Sequence, residues 1–299
     1  MKILITGAGG FLGFYLVQQL LEKGHTVIAT AKGDNPPHFE TAPGFSYYKM
    51  DVTDRGSVET IFTSAAPDVV VHAGAMSKPD VCETEREKAW RTNVDGTIYM
   101  LEQAAATACH FIFVSSDFVF SGENDTYREE DETGPVNYYG HTKATAEKAV
   151  QQYLYDWSIV RTVLVYGYPV TGKANIMTVV KDKLESGTGY NVFGDQLRTP
   201  TYVEDLAAGI VAIIEKRAKG IYHLAGVDKL TPYDIAFQTA GHLGLDTSLL
   251  RKVVAAEFPQ PAKRPPRTCF DISKARHDLN YRPVSFREGL QKTFANGIV

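Results

Sequence analysis

Apolar residues along this chain arrive in two rhythms. Short unbroken runs alternate with longer stretches in which apolar residues recur every three or four positions. The first kind reads as a buried strand, the second as an amphipathic helix. Ile3 to Ile5 is such a strand, and Phe11 to Lys23 such a helix, followed by a strand from Thr26 to Thr30. Lys32 to Pro43, with three prolines, is a surface loop. Strands are predicted at Phe45 to Met50, Val69 to His72, Phe111 to Val114 and Ser158 to Val165. The helices between them run from a cap at Thr53 or Asp54 to Ala66, from Glu85 to Ala108, and from Tyr139 to Leu154. Ala73 to Thr84 reads as a loop rich in small residues. Beyond Val165 the pattern loosens. It gives helices at Ile176 to Glu185, Val203 to Lys216 and Pro232 to Leu243, and strands at Tyr190 to Phe193 and Ile221 to Ala225. Phe258 to Arg267, with four prolines, reads as a loop.

Strand and helix in turn predict an α/β, doubly wound parallel sheet. Ligands of such sheets bind past the carboxyl ends of the strands, where Gly7, Asp51, Ala73 and Ser115 fall. The first strand runs into Gly7, Gly10 and Gly13, three apart, and then directly into a helix. Strand, glycine turn and helix present backbone N–H groups and a positive helix end to a pyrophosphate.

Composition adds exclusions. The chain has 299 residues, 44% hydrophobic and 22% charged, with a net charge of −4 and no long basic or acidic run. Nucleic acid and membrane surfaces are therefore not expected partners. Cys82, Cys109 and Cys269 are too scattered for a disulfide framework or a metal site. With no leader pattern and no stretch near the ~18 apolar residues of a membrane span, a cytoplasmic protein is expected.

A second constellation is Tyr139-Gly-His-Thr-Lys143. Residues four apart share a helix face. An ammonium beside a phenol lowers a pKa that is normally near 10, so that the phenol can exchange a proton with a carbonyl or alcohol. The preceding strand end carries Ser115 and Ser116, whose hydroxyls can hold the same oxygen.

With these residues in view, the chain resembles the extended short-chain dehydrogenase/reductase family. The matching segments are Thr6-Gly7-x-x-Gly10-x-x-Gly13, Asp51-Val52, His72-Ala73-Gly74-Ala75, Asn93-Val94-x-Gly96-Thr97, Ser115-Ser116, Tyr139-x-x-x-Lys143 and Arg161-Thr162-x-x-Val165-Tyr166-Gly167. The resemblance implies a Rossmann-type domain over residues 1–168 that binds a dinucleotide. A smaller α/β substrate-binding lobe over 169–299 would follow, with room for some segments to return to the main sheet. It also implies roles. Ser116, Tyr139 and Lys143 would be catalytic. Gly7, Gly10, Phe11, Leu12, Gly13, Lys32, Asp51, Val52, Ala73, Gly74, Ala75, Asn93, Ser115 and Val163, with Tyr139 and Lys143, would surround the cofactor. For Asn93, a helix-embedded polar residue bonded to backbone is the alternative.

Ala31 stands where NAD-preferring members carry an acid, and Lys32 follows it. A lysine attracts a 2′-phosphate, so NADP(H) is preferred and NAD(H) remains admissible. Ser115-Ser116-Asp117-Phe118-Val119-Phe120, Ala75-Met-Ser-Lys-Pro-Asp80 and Arg264-Pro265 are similar to the dTDP-4-dehydrorhamnose reductase branch. That implies reduction of a nucleoside-diphosphate 4-keto-6-deoxy sugar; no metal-ligating residues are expected. Ser77, Asp117, Arg198 and Arg264 are the expected substrate contacts, each arginine having a solvated or salt-bridged side chain as its alternative. A small-molecule nucleotide sugar is the expected partner, and a homodimer is compatible. The alternatives are a sugar-nucleotide epimerase of the family, or a non-catalytic NADP-binding regulatory subunit.

Overall fold

The computed structural model describes residues 1–33, 39–172 and 174–295; residues 34–38 of the expected loop lie outside them. In chain order the elements are β1 (Lys2–Thr6), α1 (Phe11–Glu22), β2 (Thr26–Ala31), β3 (Phe45–Lys49), α2 (Arg55–Ala65), β4 (Val69–His72), α3 (Pro79–Thr84), α4 (Arg86–Trp90), α5 (Gly96–Thr107), β5 (His110–Val114), α6 (Tyr138–Gln151) and β6 (Trp157–Arg161). Then follow β7 (Val165–Tyr166), α7 (Ile176–Glu185), β8 (Tyr190–Phe193), β9 (Leu197–Arg198), β10 (Thr201–Tyr202), α8 (Val203–Lys216), β11 (Gly220–His223), α9 (Pro232–His242), β12 (Leu250–Val253), β13 (Arg267–Thr268), α10 (Ser273–Leu279) and α11 (Phe286–Ala295).

Seven strands form one parallel sheet in the order β11-β6-β5-β4-β1-β2-β3. Successive side chains of β1 point to opposite faces, which splits the core in two. Ile3 and Ile5 pack with Leu16 and Leu20 of α1 and Leu206 and Ile210 of α8. Leu4 packs on the other face with Val58 and Phe62 of α2, Met100 of α5 and Val150 of α6. The chain leaves β1 toward β2 on one side and pairs it with β4 on the other. This reversal opens the crevice where doubly wound sheets bind ligands, and the expected Rossmann-type architecture is what forms.

The main sheet draws on both sides of residue 168, because β11 pairs with β6 at Gly220↔Ser158 to His223↔Arg161. Outside it, α7, α9, β8 and β12 build a separate small core of Val180, Leu184, Val192, Ala236 and Leu250.

Four expectations change. Residues 79–84 are helical, not loop: Pro79 sits at the first helical position and Asp80 in the first turn, both favourable there. The single helix expected from Glu85 to Ala108 is broken into α4, a π-helical turn at Arg91–Asp95, and α5. The strand expected to reach Val165 stops at Arg161, and Leu164 takes a left-handed φ of 35° before β7. Strand β12 and helices α10 and α11 were not predicted; the buried residues of α11, Phe286, Leu290 and Thr293, keep a helical spacing that a mixed composition obscures.

Candidate active site

The glycine loop is built by contact rather than by flexibility alone. Gly7 has a φ of +70°, and a Cβ there would lie 2.9 Å from the Gly74 nitrogen. A Cβ on Gly13 would lie 2.4 Å from the Gly7 carbonyl oxygen and 2.6 Å from the Ala8 Cα, so only glycine lets α1 pack against the loop. Gly10 caps α1 without any side-chain hydrogen bond, and the first turn carries no acid. The N–H groups of that turn and the positive end of the helix therefore remain available to a phosphate. Phe11 and Leu12 are half-buried beside it. These features fit a dinucleotide pyrophosphate.

Thr6, just before the loop, begins a chain of hydrogen bonds across the sheet edge. Its Oγ1 accepts from the Gly74 N–H at 2.9 Å and lies 2.7 Å from His72 Nδ1. The other ring nitrogen, Nε2, lies 3.1 Å from Thr97 Oγ1, whose proton is donated to the Asn93 carbonyl at 2.8 Å. Thr97 must then accept from Nε2–H, which leaves Nδ1 to accept from Thr6. Burial lowers the His72 pKa to about 3, with Lys143 adding to the effect, so the ring is neutral and the assignment consistent. Asn93, on the π-helical turn, brackets Met76, accepting from its N–H at 2.8 Å and donating to its carbonyl at 3.0 Å. It also donates to Thr142 Oγ1 at 3.0 Å, and Thr142 donates to the Tyr139 carbonyl at 2.8 Å. All its polar atoms are engaged within the protein.

Ser115 and Ser116 end β5. Ser115 Oγ donates to Glu147 Oε1 at 2.5 Å. Ser116 Oγ donates to Asp117 Oδ1 at 3.0 Å and accepts from the Phe118 N–H at 3.3 Å, and it lies close enough to the Tyr139 phenol to favour its anion. Helix α6 reaches this point because Gly140 follows Tyr139: a Cβ on Gly140 would lie 2.0 Å from the Phe118 carbonyl oxygen. The Phe118 and Tyr139 rings meet edge to face at 5.7 Å.

Lys143 lies one turn along α6 and is buried. Its Nζ donates to the Val114 carbonyl at 2.8 Å and sits 3.9 Å from the centre of the Phe113 ring. The sequence suggested that this ammonium lowers the phenol's pKa. In the structure burial dominates: Tyr139 is pushed well above its usual value, opposed by the nearby Ser116 hydroxyl. Lys143 itself is lowered to about 7 by burial, opposed first by the Glu147 charge. The buried Cys82 thiol hydrogen-bonds the Met76 carbonyl at 3.2 Å and packs beside Tyr139.

Lys32 and Asp51, both expected at the cofactor, pair with each other at 2.6 Å. Asp51 also accepts from Thr53 N–H and Oγ1. Val52 is buried against Gly96. Ala73 and Gly74 are half-buried on the sheet edge, and Ala75 and Ser77 are exposed beyond it. Val163 is fully buried, its backbone bonded to Thr201.

The arginines fare differently. Arg198 is 4% exposed, and its Nη atoms donate to the carbonyls of Leu197, Pro265 and Pro266. Its Nε lies 3.8 Å from Asp117 Oδ2, which also accepts from Thr268 Oγ1 at 2.5 Å. Burial raises the Asp117 pKa and lowers that of Arg198, so desolvation outweighs their attraction. Arg264 grips Asp80 with both Nη atoms, at 2.8 and 2.7 Å. Four of the Arg198 N–H donors and three of the five on Arg264 are engaged inside the protein.

Ser116, Tyr139 and Lys143 thus lie together past the end of β5, and hydrogen bonds through His72, Thr97, Asn93 and Thr142 tie α6 to Thr6, which leads into the glycine loop. Sequence reasoning assigned no role to Thr6, His72, Thr97, Thr142, Glu147 or Arg161. Glu147 had a signal, standing four residues beyond Lys143. Among the described residues no group of three or more histidine, cysteine, aspartate or glutamate side chains is placed to hold a metal ion. No helix among them is long and apolar enough to cross a membrane.

Against this geometry stand the similarities to known proteins. A family model described as the RmlD substrate binding domain matches residues 1–298. The chain is 30% identical over 292 residues to the spore coat polysaccharide biosynthesis protein SpsK of Bacillus subtilis strain 168, covering 97% of this chain and 96% of that one. It is 32% identical over 298 residues to methionine adenosyltransferase 2 subunit beta of Pongo abelii, covering 98% and 86%. The crystal structure of a dTDP-4-dehydrorhamnose reductase from Clostridium acetobutylicum, an RfbD ortholog, matches with a TM-score of 0.87 at 28% identity, covering 99% of each chain.

Proposed function

The chain belongs to the RmlD substrate-binding domain family, and from that premise we propose that it is an NAD(P)H-dependent reductase of a nucleoside-diphosphate 4-keto-6-deoxy sugar. The observation that carries this reading is the Ser116 hydroxyl close to the buried Tyr139 phenol, with the buried Lys143 one turn along the same helix and an uncapped end on α1. When bound, the nicotinamide supplies the hydride to the keto carbon. Tyr139 gives its proton to the keto oxygen, completing the alcohol, and Ser116 orients that oxygen. A phenol held protonated by burial is in the form a donor needs. Lys143 would leave the Val114 carbonyl for the nicotinamide ribose, and Asn93 holds Met76 and the first turn of α6 in register.

NADP(H) is the preferred cofactor on the strength of Ala31 and Lys32. Binding of a 2′-phosphate would draw Lys32 from Asp51. Ser77, Asp117, Arg198 and Arg264 are kept as substrate-side residues, the arginines acting through the segments they brace.

The test is a screen of NADPH oxidation against dTDP-, UDP- and GDP-linked 4-keto sugars, run with Tyr139→Phe alongside. That variant should bind cofactor and lose turnover by about 10²–10⁴-fold. Full activity in it ends the assignment. NADPH-independent interconversion of sugars would instead favour an epimerase.

A non-catalytic, NADP-binding regulatory subunit is the second reading. What favours it is that both substrate-side arginines commit most of their donors internally. A stable co-purifying partner, with no carbonyl-dependent NADPH oxidation, would decide for it.

A further inference from the structure

Helix α6 turns three residues spaced four apart into the protein: Tyr139, Lys143 and Glu147, at 8, 2 and 2% exposure. The first two belong to the proposed chemistry. Glu147 touches no residue expected at cofactor or substrate except Ser115, yet it is as buried as Lys143. Its Oε1 accepts from Ser115 Oγ at 2.5 Å, and Arg161 grips it through Nε at 3.1 Å and Nη2 at 2.8 Å. Arg161 ends β6, donates to the Glu129 carbonyl at 3.2 Å and lies over the Phe120 ring. One carboxylate therefore joins α6 to the ends of both β5 and β6.

A buried ion pair is a poor source of stability, because desolvating two charges offsets their attraction and apolar residues of the same volume do as well. Its worth here is geometric. Ser115 immediately precedes Ser116, whose hydroxyl must meet the Tyr139 phenol two helical turns from Glu147. Within the reductase reading, on which this inference rests, we propose that Glu147 is a positioning residue: it locks the Ser115–Ser116 strand end to α6 and so sets the place of Ser116 against Tyr139.

The same carboxylate, paired with Arg161, stands one turn from Lys143 on α6 and bears on its charge. Strand β5 offers Lys143 the Val114 carbonyl and the Phe113 ring, β4 brings His72, α3 brings Cys82, and its own helix carries Tyr139 and Glu147. His72 is neutral and Tyr139 protonated. Burial draws Lys143 down to about 7, and Glu147 heads the groups that oppose this.

Two variants test the proposal in the full-length protein, Glu147→Gln and the double variant Glu147→Gln/Arg161→Met. The titration of Lys143 is followed by NMR on isotope-labelled lysine, assigned with Lys143→Arg, while kcat, KM and Tm are measured in parallel. In Glu147→Gln the Lys143 midpoint should fall by about one pH unit. Its Tm should drop, because Arg161 is left unpaired, and recover in the double variant. In both, kcat should stay about tenfold or more below wild type with KM little changed, as misplacement of reacting groups predicts. An unmoved Lys143 midpoint overturns the role of the charge. A double variant that regains wild-type kcat along with its Tm overturns the positioning, leaving a stabilising ion pair only. Should the unaltered protein reduce no 4-keto sugar while the midpoint still falls in Glu147→Gln, the reductase reading fails and the hold on Lys143 stands.

Discussion

The glycine loop and the proposed substrate side are built on opposite principles. On the β1–α1 side the helix end is left uncapped, no acid guards it, and glycines bring backbone against backbone. On the other side Arg198 and Arg264 commit most of their donors to carbonyls and to Asp117 and Asp80. One region keeps binding capacity open and takes its shape from sterics. The other is cross-braced by charge, and what it offers a ligand is a fixed surface rather than free cations. Substitution should therefore hurt the first region through geometry and the second through uncompensated charge.

The largest effect is expected at the most buried brace. Arg198→Ala strands Asp117, which burial already disfavours as an anion, and should cost about 3–5 kcal/mol in denaturant unfolding. A loss below 1 kcal/mol would mean that the brace is not under load. At the glycine loop, Gly13→Ala forces a methyl group against the Gly7 carbonyl and the Ala8 Cα. Strain of about 1–3 kcal/mol should appear mainly as weaker NADPH binding, read by fluorescence titration. Unchanged affinity would remove the steric account of that loop.

Acid probes the central sheet. His72 is lowered to about 3, His110 to about 4 and His223 well below its usual value, all through burial. The unfolded chain takes up these protons near pH 6.5, the folded one only at its lower values. In that window the unfolded state holds more protons, so stability falls as pH falls, by up to about 1.4 kcal/mol per pH unit for each histidine. Urea unfolding as a function of pH checks the slope; a flat profile from neutral to acid pH would contradict it. Smallest is Arg264→Ala, which removes a partly exposed pair and should cost no more than about 1 kcal/mol. If the seating of the proline-rich loop matters to substrate, KM rises in this variant while Tm barely moves.

What the residues disclosed in advance followed from local rules. Spacing alone placed Tyr139 and Lys143 on one helix face, without saying that the face is buried, and Gly7, Gly10 and Gly13 between strand and helix. Unbroken Val69-Val70-Val71 marked a strand covered on both sides. The arginines were not legible in this way. Whether a guanidinium faces solvent or a neighbour depends on partners far along the chain: Arg198 meets Pro265 across 67 positions and Arg264 meets Asp80 across 184. No window of sequence contains both members of such a pair. The expected downward pull of Lys143 on the Tyr139 phenol failed for a related reason. Charge spacing could be read, but the depth of burial that outweighs it could not. Helix α3 was missed because a short polar segment opening on proline resembles a turn until its packing on α6 is seen.

The pairing of β11 with β6 carries a consequence for how this chain can be divided. Residues 162–219 lie between two neighbouring strands, so the sheet closes only after that long excursion has been made. A fragment ending at residue 168 would leave the ladder of β6 unpaired along its outer edge, where its apolar residues and free backbone groups would recruit other chains. Secretion of a truncated cofactor domain, a display format or a split reporter would each have to bring β11 along, or bury that edge by other means.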